Sequence, residues 1–471
     1  MSAKQSPPIV IIWLDCVAGD LFREMYENGR LPNLYEYFSQ GAYIRKMVTT
    51  FPTVTESAEG AVISGHLAGE TNMLGERLFS RKEHEIIHYK FNARTIEDFN
   101  PGLRQAIIDR AAQPSIAMGR TIASADRNIV DLKAAKYERT GSPELVRRRI
   151  EVASTLALAE KPRLLFFSIS FDYISHVYGR RNQQAEKMLQ EFDKQFPQLI
   201  AALNQAYGKN QYLITVFSDH GSANVCKHLD LTKLLQEHDL APAPTDLLAP
   251  AESATSAALS NGRRSGVIYL RHPSEGWRKS PGYRLLRNYP HKGRRIDLVK
   301  LLAEEPGVKH VYAKKDANTV LVASQEGEAE IQRNPEDRLR YRVVKGNDPL
   351  GYGEETEWLT EEEWLKASYD SEYPDAAVQI PLLFKSKLAG DIFLNAAPGW
   401  DFWEPWDIPY PRLRASHGGL TREEMVTFLL IRGPGIKQAT IEYGRITDLY
   451  ATLARYLDLP PTSHGTERLL P

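Results

Sequence analysis

Cysteine is nearly absent from this chain. Cys16 and Cys226 are the two in 471 residues, which leaves no material for a disulfide framework and excludes the class of small, disulfide-stapled secreted proteins. Long apolar runs are missing too, for no stretch approaches the ~20 uninterrupted residues a membrane-spanning helix needs. The apolar segment nearest the start, Ile9 to Leu14, stops at Asp15, too short and too soon charged for a signal peptide. The expectation is a cytoplasmic protein with no membrane partner. Nor is there an excess of charge of either sign. With 59 Lys plus Arg against 60 Asp plus Glu, the chain has no basic surplus to hold a nucleic-acid polymer. Any attraction for phosphate has to be local, and oligomeric state is left open.

What is there begins with strand-like apolar runs that end on ligand-forming residues. Ile9 to Leu14 runs into Asp15, Leu164 to Ser170 is followed by Asp172 and His176, and Tyr212 to Phe217 is followed by Asp219 and His220. Their length and β-branched content predict buried strands. A fourth run, Val426 to Arg432, lies just after His417. Carboxylates and imidazoles are the oxygen and nitrogen ligands of divalent ions, and a spacing of four puts Asp172 and His176 on one helical turn. Taken singly, each is equally an ordinary strand-end Asp before a capping turn. If the strands are neighbours in a parallel sheet, Asp15, Asp172, His176, Asp219, His220 and His417 converge on its C-terminal edge, where open α/β sheets bind ligands. Six such ligands are enough for two metal ions. Thr55 falls at a loop-to-helix junction, which suits either a nucleophile or a helix cap.

In chain order, Asp15, Pro52-Thr53-Val54-Thr55, Ser64-Gly65, Asp172 to His176, Ser218 to Gly221 and Ser416 to Gly418 together resemble the alkaline phosphatase superfamily, and within it the nucleotide pyrophosphatase/phosphodiesterase branch. The resemblance implies an α/β fold, a mostly parallel sheet sandwiched by helices, with an inserted α+β cap module. It places Thr55 on the nucleophile position. It assigns one metal to Asp172, His176 and His417 and the other to Asp15, Asp219 and His220, with the Thr55 oxygen on the latter. The cofactors it implies are two divalent ions, Zn2+ first and Mn2+ second. The implied function is metal-dependent hydrolysis of phosphodiester or pyrophosphate bonds in a small phosphoester or nucleotide-like substrate, through a Thr phospho-enzyme intermediate. Phosphomonoesterase activity, phosphoryl transfer of the mutase kind, and a metal-binding member with altered or lost catalysis are the alternatives.

The chain also departs from the branch. Thr71-Asn72 stands where the family usually has His-Gly, and Glu76 falls where it has the Asn that holds a phosphoryl oxygen. A carboxylate there repels that oxygen unless it is protonated, turned away, or bridged to a metal or Arg77. Asn72 is the nearest amide that could substitute. The segment Gly399 to Arg414 concentrates Trp400, Phe402, Trp403, Trp406 and Tyr410, which could stack a flat leaving group, Trp403 among them, or cement an insertion to the core. The expected division is a metal-dependent core of 1–225 and 410–471 with 226–409 as the α+β insertion. That insertion reads as βαββ (Val267 to Ser324) followed by a hairpin, after a Pro/Ala/Ser-rich connection between Leu229 and Ser265. Three arginines after Ser142 read as the solvated face of a capped helix.

Overall fold

The strand Ile9–Asp15 is buried along nearly its whole length because alternation sends its side chains into two different cores. Ile9, Ile11 and Trp13 pack with the helices Thr55–Ser64 and Thr447–Leu457, whereas Val10, Ile12 and Leu14 pack with the helices Gly19–Glu27, Pro143–Glu160 and Gln183–Tyr207. A sheet covered by helices on both faces demands such doubly apolar strands. In this computed structural model, which describes residues 6–89, 100–119, 122, 125–243, 254–404, 413–462 and 464–471, that strand is central to an eight-stranded sheet. The order is Ala439–Arg445, Ala42–Val48, Val426–Arg432, Leu213–Phe217, Ile9–Asp15, Leu164–Ser170, Ser115–Met118 and Arg127–Ile129. All neighbours run parallel except Val426–Arg432, which is antiparallel to both of its partners. The predicted α/β class and mainly parallel sheet are therefore observed.

Register decides where the ligands arrive. Asp15 pairs with Ser170 and Trp13 with Phe217, so three adjacent strands end together and Asp15, Asp172 and Asp219 leave from one edge. The helix Gln183–Tyr207, capped by the Asn182 side chain, covers one face with Met188, Leu189, Phe192, Phe196, Leu199 and Leu203, as its period predicts.

A second, antiparallel seven-stranded sheet has the order Ser256–Asn261, Ser265–Leu270, Ile392–Ala396, Val308–Lys314, Thr319–Ala323, Gly327–Arg333 and Leu339–Gly346. The expected βαββ unit and hairpin lie within it. One reading needs correction. The Pro/Ala/Ser-rich passage is not all connection, because Leu231–Glu237 is a helix and Ser256–Asn261 is a fully buried strand; residues 244–253 lie outside the described residues. Small side chains let that strand sit between Ser265–Leu270 and the hairpin strand Arg77–Ser80, where no apolar alternation is required. The arginine face is also corrected in part. Arg149 is buried and paired with Glu138, while Arg147 and Arg148 are paired at the surface. One apolar cluster draws on both segments, joining Trp13, Val62 and Tyr450 to Tyr269, Tyr312, Trp364 and Ile380.

The segments are also tied by charge. His464, buried near the C-terminus, places Nε2 2.5 Å from Glu70 and Nδ1 2.7 Å from Glu361. Burial opposes protonation, but the two carboxylates prevail and hold the imidazole up to about 9; both carboxyls are held below their ordinary value despite burial, chiefly by the His464 hydrogen bond. Lys385 and His66 also face Glu70, and Arg333 faces Glu361. A raised folded-state value gives stability that is complete below the unfolded value near 6.5 and is lost as pH climbs through about 9. The unfolding free energy should fall over that interval, by up to about 3 kcal/mol, as read from denaturant titrations, and His464→Gln should flatten the dependence. On the acid side the same contacts weaken as the two carboxyls take up protons.

Candidate metal centre and nucleophile

Two trios of ligands assemble at the sheet edge. Asp172 Oδ1 lies 3.2 Å from His176 Nε2 and 3.3 Å from His417 Nε2. His220 Nε2 lies 3.3 Å from Asp219 Oδ2 and 3.9 Å from Asp15 Oδ1. Within each trio the ligand atoms are all within 4.8 Å of one another. The trios adjoin, since the His220 and His417 rings stack at 4.2 Å. The structure thus brings together all six residues that the sequence proposed.

The imidazoles are oriented from behind. His176 Nδ1 faces the Ala415 carbonyl at 2.8 Å, His220 Nδ1 that of Gly221 at 3.0 Å, and His417 Nδ1 that of Thr53 at 3.0 Å. A carbonyl only accepts, so each Nδ1 carries the hydrogen and each Nε2 is left to meet a cation. Asp219 Oδ1 accepts from Cys16 N (3.1 Å) and Asp15 Oδ2 from Ser170 Oγ (3.1 Å), which leaves the other oxygen of each carboxylate to the cluster. Three buried or half-buried carboxylates so close together call for compensating positive charge. Their oxygens and the three Nε2 atoms match the preferences of a zinc-like ion. The donor set fits two divalent cations.

Electrostatics within the site follow from the same arrangement. Burial, aided by His417, depresses His220 to about 4, which keeps it in the neutral, ligating form. Burial also disfavours charge on His417 and Asp172, but their mutual attraction wins. His417 rises to about 9, with Glu76 adding to the field, and the Asp172 carboxyl is held well below its ordinary range by His176 and His417.

Thr55 is the first residue of the helix Thr55–Ser64, whose capping position is Val54. Its Oγ1 lies 3.2 Å from His220 Nε2, beside the second trio.

The remaining sequence candidates separate. Glu76 is half-buried and close enough for its charge to act on His417. Arg77 is engaged by the buried Glu404 carboxylate in two parallel bonds of 2.9 Å. Asn72 is not brought to the cluster, because its Oδ1 accepts from Ser386 Oγ (2.7 Å) and Lys387 N (3.0 Å). Trp403 pairs with Asp230, whereas Ser416, next to His417, pairs with Ala223; seven residues of strand, ~23 Å, separate them. Phe402 is buried in an apolar cluster with Leu231, Ile268 and Leu394 and Trp400 lies under Lys227, so these two aromatics serve packing. Trp406 and Tyr410 lie outside the described residues.

Sequence reasoning missed what holds His417. The turn Asn261 to Arg264 accepts the His417 N–H at Gly262 O (3.2 Å) and donates Arg264 N to His417 O (2.9 Å). Gly262 has a φ of +57°, and a Cβ there would stand 2.7 Å from His417 Nδ1 and 2.6 Å from Val54, so only glycine fits. Arg264 continues the brace through Glu424, which accepts from Gly419 N (2.7 Å). The partners are some 150 residues apart in sequence, and no local pattern announces them.

Compared with known proteins, residues 9–420 match the type I phosphodiesterase/nucleotide pyrophosphatase family. No curated protein matches the chain. Among solved structures, murine ectonucleotide pyrophosphatase/phosphodiesterase 5 superposes with a TM-score of 0.57 at 14% identity, covering 98% of this chain and 100% of that one. An inactive threonine-to-alanine variant of the murine protein in complex with AMP gives 0.57 at 15% identity, covering 99% and 100%. The human protein gives 0.57 at 13%, covering 98% of each.

Proposed function

Because the chain belongs to the type I phosphodiesterase/nucleotide pyrophosphatase family, we propose that it hydrolyses a phosphodiester or phosphoanhydride bond in a small, nucleotide-like substrate, with Thr55 as nucleophile. The observation that carries this reading is the Thr55 hydroxyl placed 3.2 Å from His220, where the two trios adjoin. Asp172, His176 and His417 would hold one divalent ion and Asp15, Asp219 and His220 a second, Zn2+ or Mn2+, which would supply Lewis-acid polarisation and neutralise developing negative charge. Thr55 Oγ forms the new bond to phosphorus as the bond to the leaving oxygen breaks. The leaving oxygen departs with the electron pair, and water then cleaves the phosphoryl-Thr55 ester and restores the hydroxyl. First-turn N–H groups of the Thr55–Ser64 helix steady the phosphoryl oxygens. That the murine relative's inactive variant replaces a threonine, and binds AMP, agrees with this assignment.

Glu76 favours diesters. A diester brings one negative charge to the site and a monoester up to two, so the carboxylate near His417 penalises the monoester more. Residues 226–409 are proposed as the insertion that shapes entry of the leaving group onto the core formed by 1–225 and 410–471. The exposed, unpaired Cys226 accords with a reducing, cytoplasmic setting; among the described residues no helix is long and apolar enough to cross a membrane. The test is turnover of bis-p-nitrophenyl phosphate against p-nitrophenyl phosphate. Preference for the diester is expected, preference for the monoester would reverse the assignment, and no turnover by protein with both ions bound would make the chain a binding member of the family.

A further inference from the structure

Apart from the sheet edge, the most telling concavity lies at the tip of the hairpin Arg77–Ser80/Glu85–His88. The hairpin turn, Trp277 and the Lys387 segment enclose a cavity of about 730 Å³. The tip is three residues beyond Arg77, ~10 Å along the strand from the Glu76 end. Asn72 lines the cavity and fixes the Lys387 backbone.

The charge of the lining points to a ligand. Lys82, His84, Arg278 and Lys387 line the cavity, and none of their side chains has a hydrogen-bond or ion-pair partner among the described residues. Surface lysines and arginines elsewhere in the chain are commonly paired, as Lys279 and Lys385 are with Glu275 and Glu70. Glu83 is the acid of the lining. Trp277 walls the cavity and is only 5% exposed. The ring itself is closed to stacking. Phe79 packs on it at 4.7 Å and the Arg81 guanidinium lies 5.7 Å from its centroid, held by Asp391 and the Leu270 carbonyl. Recognition here is by charge and hydrogen bonding, not by a flat base.

We propose that this cavity binds a compact polyanion, a small molecule carrying two or more phosphate groups, at a site separate from the ligand trios. Lys82, Arg278 and Lys387 meet the phosphate oxygens as charge-assisted donors. A concave pocket fits a small solute in preference to a membrane surface or a nucleic-acid strand.

The test titrates fructose 1,6-bisphosphate into the full-length, metal-loaded protein by calorimetry and by tryptophan emission, with inorganic phosphate and phosphatidylserine vesicles in parallel. The bisphosphate should bind more tightly than phosphate. The emission change should disappear in Trp277→Phe. The combined variant Lys82→Ala, Arg278→Ala, Lys387→Ala should weaken binding by about a hundredfold or more, three charge-assisted bonds being lost, with diester turnover unchanged. All three side chains are exposed, so the fold should hold, and the single variants carry the test if it does not. Undiminished binding by the variants, no bisphosphate binding to the parent, or binding confined to vesicles would each overturn the proposal.

Discussion

Thr55→Ala should take diester turnover to the background rate, a loss of about 10⁴-fold or more on the scale of single nucleophile deletions. The size follows from the hydroxyl's position. It stands on the first residue of a helix, 3.2 Å from His220 and beside Asp15 and Asp219, so attack and alignment both depend on one oxygen. The fold should survive, because Thr55 is half-buried and the core beneath it is made by Ala58, Ala61 and Val62 of the same helix. Metal content should change little, since the six proposed ligands are untouched. Thr55→Ser keeps the oxygen and loses one methyl, and should retain a measurable fraction of kcat. The check is kcat with saturating bis-p-nitrophenyl phosphate, together with elemental analysis and a melting curve on each variant.

Chelation should abolish turnover just as completely and, unlike the Thr55 change, should also destabilise the protein. Asp15, Asp172 and Asp219 converge on one edge, and without cations their mutual repulsion falls on groups already largely removed from water. A ligand that binds only the folded state contributes about 4 kcal/mol when it is free at 1,000 times its Kd, so the melting temperature should drop on chelation and recover with Zn2+ or Mn2+. His417→Ala removes one of three ligands of a single trio and should lower the metal content from two ions towards one. Full metal content and undiminished turnover in that variant would contradict the partition.

Much of this was legible because the central sheet is buried on both faces. Strands such as Ile9–Asp15 and Leu164–Ser170 had to be continuous apolar runs, and each announces its ligand by where the run stops. The strand Ala42–Val48 was not legible. Arg45 and Lys46 interrupt its apolar pattern, and a bulge between Ile44 and Met47 shifts its register against Val426–Arg432. Ser256–Asn261 was hidden for the opposite reason, since small residues packed closely leave no hydrophobic signature. Within the site, ligands could be read because their chemistry is carried by residue type. The groups that aim them could not, because the backbone carbonyls of Thr53, Ala415 and Gly221 and the turn at Gly262 act through position alone. Asn72 shows the converse. Its amide suggested a substrate contact, but long-range packing commits it to Ser386 and Lys387.

The nucleophilic role of Thr55 is tested most directly by quenching the enzyme with acid during turnover of bis-p-nitrophenyl phosphate and mapping the modified peptide by mass spectrometry. The expected result is a p-nitrophenyl phosphoryl group on Thr55 in the parent, formed in a burst of one p-nitrophenolate per active site if its hydrolysis limits the rate. Unmodified Thr55 in the quenched parent, with Thr55→Ala turning over the diester at close to the parental rate, would contradict it and make direct attack by water the mechanism.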